Sequence, residues 1–234
     1  MKKILFSGLM ALFCLTATAQ NIQLHYDFGR HIYSSEEGER ANATLTYELF
    51  KADKLGSWFY FVDMDFSKHF IESAYTEVAR EFNLGKESPF AAHIEYNGGL
   101  SRFGSFQHVG LVGAAYNGHT EDFSKVWSVQ LMYKQFFKSD ANTNNFPSFQ
   151  LTGVWGLNFL KDKLTFAGFI DLWIEEKSDD KYKFIVMSEP QLWYNFTEHF
   201  SLGTEIEFSN NFVYNQKNDK TFFVNPTLAV KWTF

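Results

Sequence analysis

Nine residues near the start of the chain could bind a solute: His25, Asp27, Phe59, Phe61, Asp63, Asp65, Tyr75, Glu77 and Glu81. Within each local run they are spaced by two or four, and side chains an even number apart on an extended strand share a face. Aromatic rings beside carboxylates suit recognition of a flat, hydroxylated solute: the ring stacks and the carboxylate accepts hydrogen bonds. The same rings could instead pack on side chains from an opposite wall and fill an interior.

Other chemistries are poorly represented. His25 with Asp27, and His93 with Glu95, share strand faces, but two ligands per strand without a third make a weak metal site. Hydrogen-bonded histidines are the expectation, with no metal and no cofactor. No catalytic residue is assigned. The one His-x-Ser sequence, His199-Phe200-Ser201, follows a tight turn and places Ser201 on the polar face, so no enzyme activity is expected. Asn97-Gly98-Gly99 reads as a loop turn rather than a phosphate cradle. The only cysteine, Cys14, lies in the first twenty residues, MKKILFSGLMALFCLTATAQ. Those residues have a basic start, an apolar middle and the cleavage signal Ala17-Thr18-Ala19, so residues 1–19 are expected to be a signal peptide and 20–234 a single mature domain.

Two-residue alternation organises that domain. Phe222, Val224, Pro226, Leu228, Val230, Trp232 and Phe234 oppose Asn225, Thr227, Lys231 and Thr233. Phe200, Leu202, Ile206 and Phe208 oppose Ser201, Glu205, Glu207 and Ser209; Trp58, Tyr60, Val62, Met64 and Phe66 oppose Phe59, Phe61, Asp63 and Asp65. About twelve such segments follow one another: 21–30, 41–50, 57–66, 72–83, 90–97, 106–117, 125–137, 148–160, 163–175, 182–196, 199–211 and 221–234. Late in the chain tight turns at Lys161-Asp162 and Thr197-Glu198 alternate with long polar connections at 138–147, 176–181 and 212–220. The pattern predicts an all-β fold, a transmembrane antiparallel up-and-down β-barrel of about twelve strands, with short turns and both termini on the periplasmic side. Pro190 and Pro226 fall inside strands and are expected to mark bulges.

A soluble barrel would show the same period with its apolar face inward, but twelve strands enclose more space than apolar side chains fill. The polar faces carry many carboxylates, which suit a hydrated lumen. Aromatics at strand ends (Trp58, Tyr60, Trp193, Tyr194, Phe196 and Trp232) suit interfacial girdles, and the chain ends on an aromatic, Phe234, at the close of an alternating strand. The expected location is the bacterial outer membrane, with membrane lipids as partners and a monomeric barrel. A net charge of −6 offers no basic surface for nucleic acid. Few basic residues join the polar face, chiefly Lys134 and Lys231, so the lumen should disfavour anions.

The segment Gly56-Ser57-Trp58-Phe59-Tyr60-Phe61-Val62-Asp63 resembles the "G-x-x-F-x-F-V-D" strand of the nucleoside-specific (Tsx-like) channel-forming outer-membrane proteins, and Tyr75-Thr76-Glu77 resembles their "Y-x-E" strand. The resemblance implies a twelve-stranded monomeric porin whose aromatic and ionisable lumen residues bind nucleosides. After the glutamate this chain departs from the family pattern, running Val78-Ala79-Arg80-Glu81-Phe82 without the family's proline and serine-leucine pair. The functional expectation is passive diffusion of small polar solutes, with nucleosides as the class the resemblance names. The rival is a closed, structural barrel plugged by its own side chains. In either case the folded protein should fractionate with outer membranes and migrate faster on gels unboiled than boiled. Recovery as a soluble protein with one mobility would reject the barrel.

Overall fold

The computed structural model describes residues 18–33, 40–67, 70–138, 145–176, 182–212 and 221–234. Fourteen strands are present: β1 (Thr18–Asp27), β2 (Ala43–Asp53), β3 (Gly56–Ser67), β4 (Phe70–Asn83), β5 (Phe90–Ser101), β6 (Gly104–Ser105), β7 (Val109–His119), β8 (Lys125–Phe136), β9 (Phe146–Phe159), β10 (Leu164–Glu176), β11 (Tyr182–Ser188), β12 (Gln191–Asn195), β13 (Phe200–Asn210) and β14 (Phe222–Thr233). Each pairs antiparallel with its neighbours, β14 returns to β1, and β9 pairs with β10, so the sheet closes on itself. The two residues of β6 only fold back on β5, and β11 and β12 are halves of one stave, which leaves twelve staves. Residues 1–17 of the leader expected at 1–19, and most of the three long connections expected late in the chain, lie outside the described residues; Thr18 and Ala19 belong to β1.

The pairing registers fix the size of the barrel. Carried from stave to stave through the main registers, a position on β1 returns to β1 sixteen residues from its start. With strands about 4.8 Å apart and a rise of about 3.3 Å per residue, that stagger tilts the strands by about 43° and gives a backbone diameter of about 25 Å. Charged inward side chains from facing walls therefore come within electrostatic reach across the interior.

The alternation sorts faces as expected. On β1, Asn21, Gln23, His25 and Asp27 are buried while Ile22, Leu24 and Tyr26 are exposed. On β8, Gln130, Met132, Lys134 and Phe136 are buried and Leu131 is 62% exposed. Apolar side chains at such positions are left largely uncovered by protein, and hydrocarbon is the medium that stabilises them. At the end of the barrel bearing the termini, Arg80 lies on the outward face between Trp58 and Phe82, 5.0 and 4.9 Å from the ring centroids, and its Nη2 donates to Asp53 Oδ1 at 2.9 Å. An outward cation is tolerated there because it is paired and covered by aromatics. A short connection at the same end is braced by Asp122, which accepts from Thr120 Oγ1, Ser124 N and Ser124 Oγ; these bonds hold its carboxyl down to about 2.

Three local expectations are corrected. Neither proline marks a bulge. Glu189-Pro190 interrupts the ladder between β11 and β12, and Pro226 pairs with Ile206, both without a change of register. The register shift lies between Asp65 and Phe66 on β3, beside Phe70 at φ 74°. Asn97-Gly98-Gly99 is not a turn but the upper part of β5, pairing with Glu77, Thr76 and Tyr75. The glycines serve close approach: a Cβ on Gly99 would lie 2.2 Å from the Ala74 carbonyl oxygen, and one on Gly98 2.6 Å from Tyr96 Oη. Trp193 is not in the girdle. Its neighbour Tyr194 faces out, so the pleat turns Trp193 into the lumen, where it is fully buried.

These faces predict an asymmetry between adjacent residues. Ile206→Arg, outward near the middle of β13, should cost about 2–4 kcal/mol, whereas Glu205→Arg, one residue away and inward, should be tolerated. Refolding titrations from denaturant into detergent compare the two, and equal costs would contradict the assigned faces.

Candidate functional site in the lumen

The lumen contains strings of polar side chains running along and between staves. On β1 the string runs Glu48–Asn21–Gln23–His25–Thr227: Asn21 Nδ2 donates to Glu48 Oε1 at 3.0 Å, Gln23 Nε2 to Asn21 Oδ1 at 2.8 Å, and His25 lies 2.9 Å from Gln23 Oε1 and 3.1 Å from Thr227 Oγ1. An amide oxygen can only accept, so His25 Nε2 is the donor to Gln23. On the opposite wall Lys134 Nζ donates to Gln150 Oε1 at 2.7 Å, Gln150 Nε2 to Thr152 Oγ1 at 3.0 Å, and Thr152 Oγ1 to Asp171. Each string joins residues two apart on one strand to cross-strand neighbours, the contacts that a pleated inner face provides.

The nine sequence-predicted residues occupy three levels of the lumen rather than one pocket. At the mouth distal to the termini, Asp27 accepts from Gly29 N at 2.6 Å and from Arg40 Nε at 2.6 Å, and Arg40 Nη2 reaches Glu207 at 3.3 Å. Gly29 opens the one-turn helix α1 (Gly29–Ile32), packed so closely on Asn225 that a Cβ there would overlap its side chain. In the middle, Phe59, Phe61 and Tyr75 form a ladder with centroids 5.9 and 6.0 Å apart, which Phe106 extends by a further 6.2 Å. Carboxylates flank it: Asp63 accepts from Thr46, Asp65 from Thr44 and Ser73, and Glu77 Oε1 from Tyr75 Oη at 2.7 Å. Nearer the termini, Glu81 accepts from Asn117 Nδ2 at 2.7 Å and Gln130 Nε2 at 3.4 Å, and lies 3.3 Å from His93 Nδ1. His25 belongs to the β1 string and lies 3.9 Å from Glu205.

Both histidine pairs are hydrogen-bonded lumen groups. His93 is bracketed by Glu81 and, at 3.0 Å, Glu95, and among the described residues no three His, Cys, Asp or Glu side chains converge as metal ligands. At His199-Phe200-Ser201, Ser201 Oγ donates to Asn195 Oδ1 at 2.7 Å while His199 Nδ1 is engaged with the Thr233 carbonyl, so the serine is not bonded to the histidine.

The walls differ in access. Most inward residues of β1 and of the distal parts of β7–β9 are buried, whereas most of those of β2–β4, together with Asp171, Glu189, Gln191, Glu205 and Glu207, are half-buried and reach water. A second feature is absent from the alternation: Val109, Leu111, Met132, Phe136, Trp173 and Ile185 form an apolar cluster inside the lumen, in the half distal to the termini. Strand β7 is apolar on both faces, so its period hides which side is inward. Lys134 lies against this cluster, with Nζ 4.3 Å from the Trp173 centroid and 5.1 Å from that of Phe136. Lys231 is held likewise, 4.1 Å from the Trp193 ring. Beside it, at the end bearing the termini, a vestibule of about 230 Å³ is lined by residues including Thr165, Asn195, Ser201 and Thr233.

A closed twelve-stave antiparallel barrel, apolar outside and polar within, is the architecture of bacterial outer-membrane β-barrels. By its sequence the chain belongs to the family described as "Domain of unknown function (DUF5020)", whose model matches residues 19–234. No curated protein matches it. Among solved structures its fold is similar to that of the NanC porin (13% identity, TM-score 0.61, 92% of this chain and 100% of that one) and to that of LpxR from Salmonella typhimurium (7% identity, TM-score 0.50, 92% and 100%).

Glu81 supports three neighbours at once, which gives a stability prediction. Glu81→Ala should cost about 1–3 kcal/mol, by leaving Asn117 and Gln130 donors and one side of His93 unpaired in a buried site. Glu81→Gln should recover part of it. Guanidinium unfolding of the detergent-refolded barrel measures both.

Proposed function

We propose that the protein is a narrow diffusion channel of the bacterial outer membrane for small polar solutes, favouring cations and neutral molecules over anions. The carrying observation is the set of half-buried inward carboxylates Glu48, Asp63 and Glu77 on β2–β4 and Glu189, Glu205 and Glu207 at β11–β13. Water-reachable carboxylates lower the energy of a cation relative to an anion. Nucleosides are the solute class to test first. The likeness of residues 56–77 to nucleoside channels supports them, as does the ladder of Phe59, Phe61 and Tyr75, which gives a base rings to stack on beside Asp63. A second reading, a closed structural barrel, draws on the apolar cluster of Val109, Leu111, Met132, Phe136, Trp173 and Ile185.

Planar-bilayer recording separates the two. The channel should show discrete conductance steps and a cation-selective reversal potential in a salt gradient, whereas a sealed barrel would be silent. For the solute, liposomes carrying the protein should take up adenosine and thymidine faster than sugars of similar size and in a saturable way. Stacking is worth about 1–3 kcal/mol per base, so Phe61→Ala should weaken nucleoside binding about tenfold or more. Uptake without preference or saturation, unchanged in Phe61→Ala, would leave a general pore only.

A further inference from the structure

We infer that the middle of the lumen is a binding site for an organic ammonium cation, formed by Asn97, Glu77, Glu95 and Asp171 beside the Phe61–Tyr75–Phe106 rings. The inference deepens the channel reading and rests on it for the route by which the solute arrives.

Asn97 supplies the first observation. Its side chain is inward on β5, directly across from Glu77 on β4, and only 5% exposed, yet its Oδ1 accepts no hydrogen bond within the chain. A buried carbonyl oxygen left without a donor is costly, and a ligand N–H is the partner it lacks. Around it the groups are acceptors as well. Glu77 is opposite, Glu95 is two residues along the same face, and Asp171 projects from the facing wall within electrostatic reach of both glutamates.

The second observation is how the barrel treats its own ammonium groups. Lys134 and Lys231 are inward, and each holds Nζ over a tryptophan face, at 4.3 Å for Trp173 and 4.1 Å for Trp193. Lys134 adds an amide oxygen at 2.7 Å and the nearby charges of Asp171, Glu77 and Glu95. Ring face, amide oxygen and carboxylate are thus the environment this lumen already gives an ammonium. Asn97 and Glu77 present the same elements beside Tyr75 and Phe106, with Lys134 within electrostatic reach but hydrogen-bonded to Gln150 instead. Cation–π attraction and carboxylates both select positive charge, and the rings also favour the alkyl stem of an organic cation. A metal ion is a poorer match, because among the described residues no three His, Cys, Asp or Glu side chains, these carboxylates included, come close enough together to ligate one ion.

The test uses the full barrel refolded in detergent, its fold checked by heat-modifiability, and 1,5-diaminopentane as the probe, with glucose and Ca²⁺ for comparison. Isothermal titration should give saturable diamine binding that neither comparison molecule reproduces. Asn97→Leu and Glu77→Gln should each weaken it tenfold or more, and Asp171→Asn serves if either fails to fold. Lys134→Met, which removes the tethered competitor, should tighten it several-fold. Equal affinity for glucose, tighter binding of Ca²⁺ than of the diamine, wild-type affinity in both Asn97→Leu and Glu77→Gln, or weaker binding in Lys134→Met would overturn the proposal. Bilayer recording keeps the two readings apart: diamine binding to a silent barrel upholds the site and rejects the channel, and conductance without diamine binding does the reverse.

Discussion

A backbone crossing hydrocarbon has no water to satisfy its N–H and C=O groups, and every other feature of this molecule depends on how that is met. Here each stave bonds to two others and the sheet closes through β14–β1 and β9–β10, leaving no edge. Closure needs a definite stagger, the stagger sets the tilt, and stave number and tilt together set the diameter. At about 25 Å between backbones, inward side chains from facing walls come within electrostatic range, as Asp171 does with Tyr75 and Glu77. The crowded, charged lumen is therefore a consequence of satisfying the backbone with twelve staves.

The same pleat makes the exterior and the lumen inseparable. An apolar residue that serves the bilayer commits both its neighbours to the inside, so selection for a lipid-compatible surface also writes the lumen. Where the inward position falls to a large side chain, the protein fits it by partners of the right kind. Trp193 donates its Nε1 to Gln191 at 2.9 Å and lays its face under Lys231. Trp173 donates to Glu175 at 2.9 Å and covers Lys134. In both cases an otherwise costly buried indole and a buried ammonium offset one another.

This coupling explains what the sequence made legible. Period two named the inward faces of β1, β3, β13 and β14, and with them six of the nine candidate residues; Tyr75, Glu77 and Glu81 follow from the same parity on β4. It failed where alternation is weak. Val109, Leu111 and Ala115 of β7 are inward although apolar, and the outward Val112 and Tyr116 give no contrast. Its place among aromatics at a strand end points Trp193 to a girdle, although its adjacency to Tyr194 puts the two on opposite faces. Gly98 and Gly99 looked like a turn because their cause is three-dimensional: β4 and the Phe106 ring come too close for a Cβ. That misreading also hid Asn97, which continues the inward face of His93 and Glu95 and became visible once β5 was known to run to Ser101.

The apolar cluster and the half-buried carboxylates share one lumen, and their placement bears on how solutes could pass. Burial of Met132, Phe136 and Ile185 closes the wall of β7–β11 at one level. A seal across the whole section would bury the facing wall to the same degree. Instead Glu205 and Glu207, on β13, keep 19% and 14% of their side-chain surface accessible, whereas His93, on β5, keeps only 3%, and Lys134 on β8 is buried. Carboxylates are expensive to dehydrate, and their partial access is the arrangement that lets water reach them while the apolar side fills the remaining space. A lumen built this way offers a solute two groups of water-reachable carboxylates, on β2–β4 and on β13, with buried inward residues of β1 and β14 between them. The aromatic ladder stands with the first group, at β3–β4, where a passing molecule would meet rings and carboxylates together.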